Sequence, residues 1–477
     1  MAELRRILGE NLIDSPAVLA AYECDGLSAY RQLPLAVALP QSVEQVSAVL
    51  AVCNQHEVKI VPRGAGTSLS GGATPIEGGI VLGVSKLNRI LEVDYANRCV
   101  TVQPGVSNAA ISRAVAAEGF YYAPDPSSQI VCTIGGNVAE NAGGVHCLKY
   151  GLTTNNLLGV ELVLADGTVL RLGGKSAEAE GYDLLGLVCG SEGLLGIITE
   201  VTVRILPKPL TQRALMVGFS TVEEAGACVS AIISNGIIPA ALEIMDELSV
   251  HAAEDFVQAG YPRNVGALLI AEYDGTAAEV DEMIGTTSRI AEQNGASYVR
   301  ASETEEEREL IWKGRKAAFP AVGRVAPDYY CVDGTIPRRA LPEVLTRIAD
   351  IGARHGLRVA NVFHAGDGNL HPMILYDASV PGQLELAEEV GAEILRTCVD
   401  AGGVLTGEHG VGLEKVALMH YQFGQVDLDQ QARVKCAFDP TNLLNPGKML
   451  PELCRCAELG KMHVHQGELR FPELSRL

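Results

Sequence analysis

Histidine is scarce in this chain, ten residues among 477, yet three fall in two short segments. One is NVFHAGDGNLHPMI (Asn361 to Ile374), which also contains Asp367; the other is GGVLTGEHGVG (Gly402 to Gly412). Imidazole nitrogens combined with a carboxylate suit zinc, iron or manganese. His364 and His371 are separated by Gly366, Gly368 and Asn369, so a turn lies between them and both can face one site. Glu408 supplies a third ligand and leaves positions open for substrate. A lone His is more often a satisfied core residue, and it is the clustering in glycine-rich context that favours a divalent metal here. The spacing matches no helical zinc motif such as HExxH.

A second chemistry resides in backbone. VPRGAGTSLSGG (Val61 to Gly72) follows a strand, but Leu69 stands where a dinucleotide-binding turn needs its third Gly, and no Gly-Lys-Ser/Thr follows. The stretch instead offers successive N–H groups unhindered by side chains, an anion nest. PDPSSQIVCTIGGNVAENAGGVHCLKYG (Pro124 to Gly151) and CGSEGLLGIIT (Cys189 to Thr199) have the same texture. Three such loops attached to strands of one domain suit a large diphosphate-bearing ligand enclosed by backbone.

The elements that must carry these loops are legible from periodicity. Ser42 with Gln45 opens a helix whose apolar face is Val43, Val46, Val49, Leu50 and Cys53. Strands follow at KIVP, GGIVLGV and CVTVQPG, then a helix from Asn108 to Gly119. TNNLLGVELVLADGTVLRL reads as a strand pair turned at Asp166-Gly167, and GLLGIITEVTVRILPKP as a long strand stopped by Pro207 and Pro209. After Pro209, helices (Thr221 to Ser234, Ala277 to Gln293) alternate with strands such as ALLIAEYDG, an α+β texture with an antiparallel sheet. Glu303 to Leu310 reads as a solvated acidic helix face. The expected organisation is a lead-in (1–31), a ligand-binding domain (32–209), a second α+β domain (210–450) and a tail (451–477).

Composition narrows the partners. A net charge of −21 disfavours nucleic acid and polybasic docking on lipid, while leaving room for a local basic pocket. No apolar run reaches 18 residues, and the expectation is a cytoplasmic protein without an integral membrane segment. Many of the twelve Cys lie in apolar runs, as reduced thiols do, and no CxxC pair offers iron–sulfur or zinc ligands. Cys454 and Cys456 read as unremarkable thiols.

PRGAGTSLSGG together with PDPSSQ–TIGGN resembles the PCMH-type FAD-binding domain of the vanillyl-alcohol-oxidase flavoproteins, and the likeness extends over nearly the whole chain. Including HCLKYG and TTNNLLGVELVLADG, the chain is similar to FAD-linked 2-hydroxy-acid oxidases and dehydrogenases, in form nearest the FAD-binding subunits of bacterial glycolate oxidases. The resemblance implies an α+β fold: a two-subdomain FAD-binding domain followed by an α+β substrate domain. It places the FAD pyrophosphate on the first loop (Pro62, Arg63, Gly64, Ala65, Gly66, Thr67, Ser68, Gly71, Gly72). Pro124, Asp125, Ser127, Thr133, Gly135, Gly136, Asn137 and Gly143 would surround ribose, diphosphate and isoalloxazine. Gly190, Glu192, Gly196 and Ile198 would complete the adenine side, with Asn445 also at the cofactor. Thr67 stands where some relatives carry a flavin-linking His, which implies non-covalent FAD.

For the second domain the resemblance implies His364, His371 and Glu408 as metal ligands, His409 as base and Arg315 of WKGRKAAFP as the clamp on a substrate carboxylate. Some relatives carry a Lys near the DYYCVDGTIP segment, where this chain has Cys331, or a polar residue where it has Met373; both differences fit a short substrate. The implied activity is oxidation of a short 2-hydroxy acid, glycolate or D-lactate, with electrons passed to an iron–sulfur subunit and a second flavin-type subunit of a glycolate oxidase complex, then to quinone. A self-standing D-lactate or D-2-hydroxyglutarate dehydrogenase, or a non-catalytic electron-transfer subunit, are the alternative readings.

Overall fold

In the computed structural model of the chain, residues 1–176 and 181–451 are described; Cys454, Cys456, His463 and His465 lie outside them. The fold is α+β, as expected. Its N-terminal half begins with a four-stranded sheet in which Ala36–Ala38, Ile80–Gly83 and Ile60–Arg63 run parallel. Leu12–Ile13 adds an antiparallel edge, so part of the segment read as a lead-in belongs to this sheet. Helix Val43–Gln55 packs on it through Val46, Val49, Leu50 and Cys53, capped by Ser42 as its sequence predicts. A five-stranded antiparallel sheet follows in the order Ile90–Asp94, Cys99–Val102, Ile197–Arg204, Leu157–Val163, Val169–Gly173.

The strand pair around Asp166-Gly167 forms, but later than its composition suggests. Thr153–Asn156 is helical. Asn156 Nδ2 donates to the carbonyls of Tyr150 and Leu152, and Asn155 Oδ1 accepts from Leu152 N, so local amide bonds hold a turn where a strand was expected.

After Thr211 the chain builds a seven-stranded antiparallel sheet, in the order Tyr298–Ala301, Thr211–Phe219, Ala267–Gly275, Ala241–Asp246, Val359–Phe363, Pro372–Tyr376, Asp328–Cys331. Its central strands are apolar on both faces because both are covered. Leu215, Val217, Leu269 and Tyr273 join one core with Val229, Ile232 and Ile348 of the helices on that side. Ala214, Met216, Leu268 and Ile270 join the other with Val250, Ile311 and Trp312. Thr221 and Thr276 cap their helices in boxes with Glu224 and Glu279.

The chain then returns to the N-terminal half. Leu443 and Leu444 pack with Ile60 and Ile80, Ile60 N donates to Leu443 O (2.9 Å), and Asn445 N donates to Ile60 O (2.7 Å). Among the described residues no helix is long and apolar enough to cross a membrane.

Candidate functional site

A cavity of about 530 Å³ lies between the halves. Its first end is backbone and small side chains: Pro62 to Ser68, Gly72, Asp125, Ser127, Thr133, Gly135 to Asn137, Glu192, Gly196 and Ile198 line it. Gly71, Pro124, Gly143, Gly190 and Asn445 stand outside that lining. Asn445 is fully buried and ties two of the loops together, Nδ2 donating to Gly72 O (3.1 Å) and Glu192 O (2.8 Å). Lys448 Nζ donates to Gly72 O (2.8 Å), and burial pushes its ammonium down to about 7. The Arg63 guanidinium donates to Cys24 O (2.7 Å) and lies over Tyr22, which fixes the loop. Gly66 has φ +72°, and a Cβ there would stand 2.2 Å from that guanidinium.

The second end is made of long polar side chains: Arg315, His364, His371, Glu408 and His409 line it, with Lys316 and Phe319. His364 and His371 flank the turn joining strands Val359–Phe363 and Pro372–Tyr376, where Gly368 N and Asn369 N donate to His364 O. Glu408 Oε1 stands 3.3 Å from His364 Nε2 and 3.1 Å from His371 Nε2. The candidate ligand atoms of the three residues lie within 4.8 Å of one another, so small side-chain adjustments would let them share one ion about 2 Å from each. Both ring nitrogens of His371 are buried without a well-oriented hydrogen-bond partner, the condition of an imidazole poised to ligate. His364 Nδ1 meets Glu243 Oε1 at 2.7 Å, the carboxylate–histidine pairing that orients metal-binding imidazoles. The residues present therefore fit a divalent cation; Asp367 is half-buried and lies outside the three-residue cluster.

Two buried acids organise this end. Glu243 Oε2 accepts from Arg315 Nε (2.9 Å) and Nη2 (2.6 Å), so one carboxylate aligns Arg315 and His364. Burial works against its charge, but His364 and Arg315 hold the carboxyl below its ordinary range. Asp333 Oδ2 accepts from the backbone N–H groups of Gly407 (3.0 Å), Glu408 (2.8 Å) and His409 (2.7 Å), and Oδ1 meets Lys415 Nζ at 2.7 Å. Burial opposes that charge too, yet Lys415 brings it down to about 2. Burial also pushes His409 down to about 4; its ring stacks on His371 with centroids 4.9 Å apart. Neither acid has a spacing signal. The available clue was an acid inside an apolar strand (ALEIMD) or beside a buried one (CVDG), where an unpaired charge is costly.

The two ends touch. A Cβ on Gly143 would stand 2.5 Å from Glu408 Oε2 and 2.8 Å from Leu152 Cδ2, so a larger residue there would push on the cluster. Glu192 accepts from Val411 N (2.6 Å) and Gly412 N (2.7 Å), anchoring the loop just beyond His409. Asp125 and Glu272, from opposite halves, meet the two nitrogens of His146 at 2.9 Å each; burial opposes its charge, but the carboxylates raise it to about 10.

Comparison with known proteins accounts for this architecture. Residues 34–173 match the FAD binding domain family and residues 208–449 the C-terminal domain of FAD linked oxidases. The chain is 55% identical over 476 residues to the glycolate oxidase subunit GlcD of Escherichia coli strain K12, covering all of this chain and 95% of that one. It is 40% identical to the subunit of the same name in Bacillus subtilis, covering 94% and 95%. It is 34% identical to a D-lactate dehydrogenase of Anaerostipes hadrus, covering 86% and 88%. Among solved structures, p-cresol methylhydroxylase superposes with a TM-score of 0.80 at 19% identity, covering 94% and 96%, a likeness of fold alone. The glycine-loop cavity and the matches along both halves thus have one explanation: the chain belongs to the FAD-linked oxidases and is an FAD-dependent oxidoreductase.

Proposed function

We propose that this protein oxidises a short 2-hydroxy acid, glycolate or D-lactate, to the 2-oxo acid. The observation that carries the reading is the convergence of Arg315, His364, His371, Glu408 and His409 at one end of a cavity whose other end is a glycine-loop wall. The names of the relatives, glycolate oxidase subunit and D-lactate dehydrogenase, support the same substrate class. FAD would occupy the loop wall non-covalently, with Thr67 in the lining, while His364, His371 and Glu408 would hold zinc, iron or manganese.

FAD on the loop wall would supply a hydride acceptor for the substrate α-carbon, and a divalent ion held by His364, His371 and Glu408 would supply Lewis acidity toward the substrate hydroxyl. Arg315 binds the carboxylate: Glu243 holds its Nε and Nη2, leaving Nη1 for a substrate oxygen. His409, kept neutral by burial, takes the hydroxyl proton. Asp333 keeps that imidazole and Glu408 in register by gripping their backbone N–H groups. A local fork of donors is how a chain of net charge −21 binds an anion. Electrons would leave through an iron–sulfur and a second flavin-type subunit of a glycolate-oxidase complex.

The test is His409→Asn in the holoenzyme, mixed anaerobically with glycolate and D-lactate. Flavin should stay bound while its reduction slows by about 10²–10⁴-fold. Rapid bleaching of the flavin would remove His409 from the mechanism.

A further inference from the structure

A second space adjoins the site. An outer cleft of about 550 Å³ lies between residues 145–146 of the flavin half and helix Glu305–Lys316. It shares Val145 and Lys316 with the cavity wall, beside Arg315 and Phe319. Its charged lining is His146, Arg308, Glu309, Lys313 and Lys316.

Some of these charges are already matched. His146 lies between Asp125 and Glu272, and Arg308 pairs with Glu272 (2.7 Å) and Glu305 (2.5 Å). Lys313 and Lys316 are different: both are exposed, and among the described residues neither forms an ion pair within 4.0 Å. Bases in the last turn complement the helix dipole, which accounts for their place in sequence. It does not account for a spacing of three that sets both on one helix face, or for that face lining a cleft which abuts the site. On a protein of net charge −21, two unmatched ammonium groups at a concave mouth form a local attractive field against a repulsive background.

The geometry points to this cleft as an outer anion site, through which a monocarboxylate substrate enters and its oxo-acid product leaves, with Lys313 and Lys316 as transient counter-ions and Glu309 as the opposing charge. The inference rests on the 2-hydroxy-acid reading above. It is tested in the holoenzyme by the second-order rate constant for anaerobic flavin reduction by glycolate and D-lactate at several ionic strengths. The double variant Lys313→Gln/Lys316→Gln should lose about tenfold at low salt, and the deficit should close as salt rises. Lys313→Arg/Lys316→Arg should retain the parent value, and Glu309→Gln should exceed it. Parent-like rates and salt dependence in the double glutamine variant would overturn the outer site alone. A parent flavin that no 2-hydroxy acid reduces would instead overturn the functional reading.

Discussion

The two ends of the cavity solve recognition in opposite ways. The proposed flavin end is built from main chain, where glycines clear space and the buried Asn445 and Lys448, with the half-buried Arg63, hold loops by bonding carbonyls. The proposed substrate end is built from ionisable side chains, four of them oriented by a buried acid that itself stays out of the lining: Glu243 behind His364 and Arg315, Asp333 behind Glu408 and His409. A backbone wall tolerates side-chain change until a Cβ enters it. A side-chain wall fails at once when a ligand or its support is lost. The halves should therefore separate under mutation, one losing flavin and the other chemistry.

The sharpest separation is expected from Glu408→Gln or His371→Ala. Metal content should drop, and flavin reduction by substrate should slow by about 10³-fold or more, with a normal flavin spectrum. Parallel metal analysis and rapid-mixing absorbance check this; loss of flavin from these variants would blur the division proposed. The reverse case is Gly66→Val. A β-branched residue at φ +72° must also displace the pinned Arg63, so flavin content should fall by about tenfold or more while metal remains.

Asp333→Asn tests the organising acids. It removes one of the two carboxylates on the buried Lys415, which keeps Glu414 at 2.9 Å and the Gly410 carbonyl at 2.8 Å, a loss of about 1–3 kcal/mol in unfolding measurements. Substrate-driven reduction should slow about 10–100-fold as the 407–409 backbone loosens. The smallest effect concerns the strap between the halves. Because the folded His146 titrates near 10, above the ordinary value of 6.5, its stabilisation is present below about pH 6.5 and is lost as pH rises through about 10. The parent melting temperature should fall more between pH 7 and 10 than that of His146→Gln; equal slopes would show that the strap contributes nothing.

Sequence patterns reach these two ends unequally. The glycine loops are local in the chain, so spacing alone exposes them, and the scarcity of His marks His364, His371 and His409. The supports are not local. Glu243 acts on residues 72 and 121 positions away, and Asp333 on N–H groups 74 to 76 positions away. A single acid in an apolar strand signals that it needs a partner without saying which. Pattern alone did not show the return of Leu443 to Lys448 to the N-terminal loops, although the family resemblance placed Asn445 at the cofactor, because an Asn and a Lys near the end of a domain have no period that points to loops over 370 residues earlier.

The central claim is that a metal-dependent side-chain site delivers a 2-hydroxy acid to flavin held by backbone. Its most direct test is anaerobic flavin absorbance of the holoenzyme mixed with glycolate and with D-lactate, before chelation, after it, and after adding back zinc, manganese or iron. The account predicts bleaching that chelation abolishes and one of these ions restores, with flavin bound throughout. Bleaching that survives complete removal of metal would contradict it.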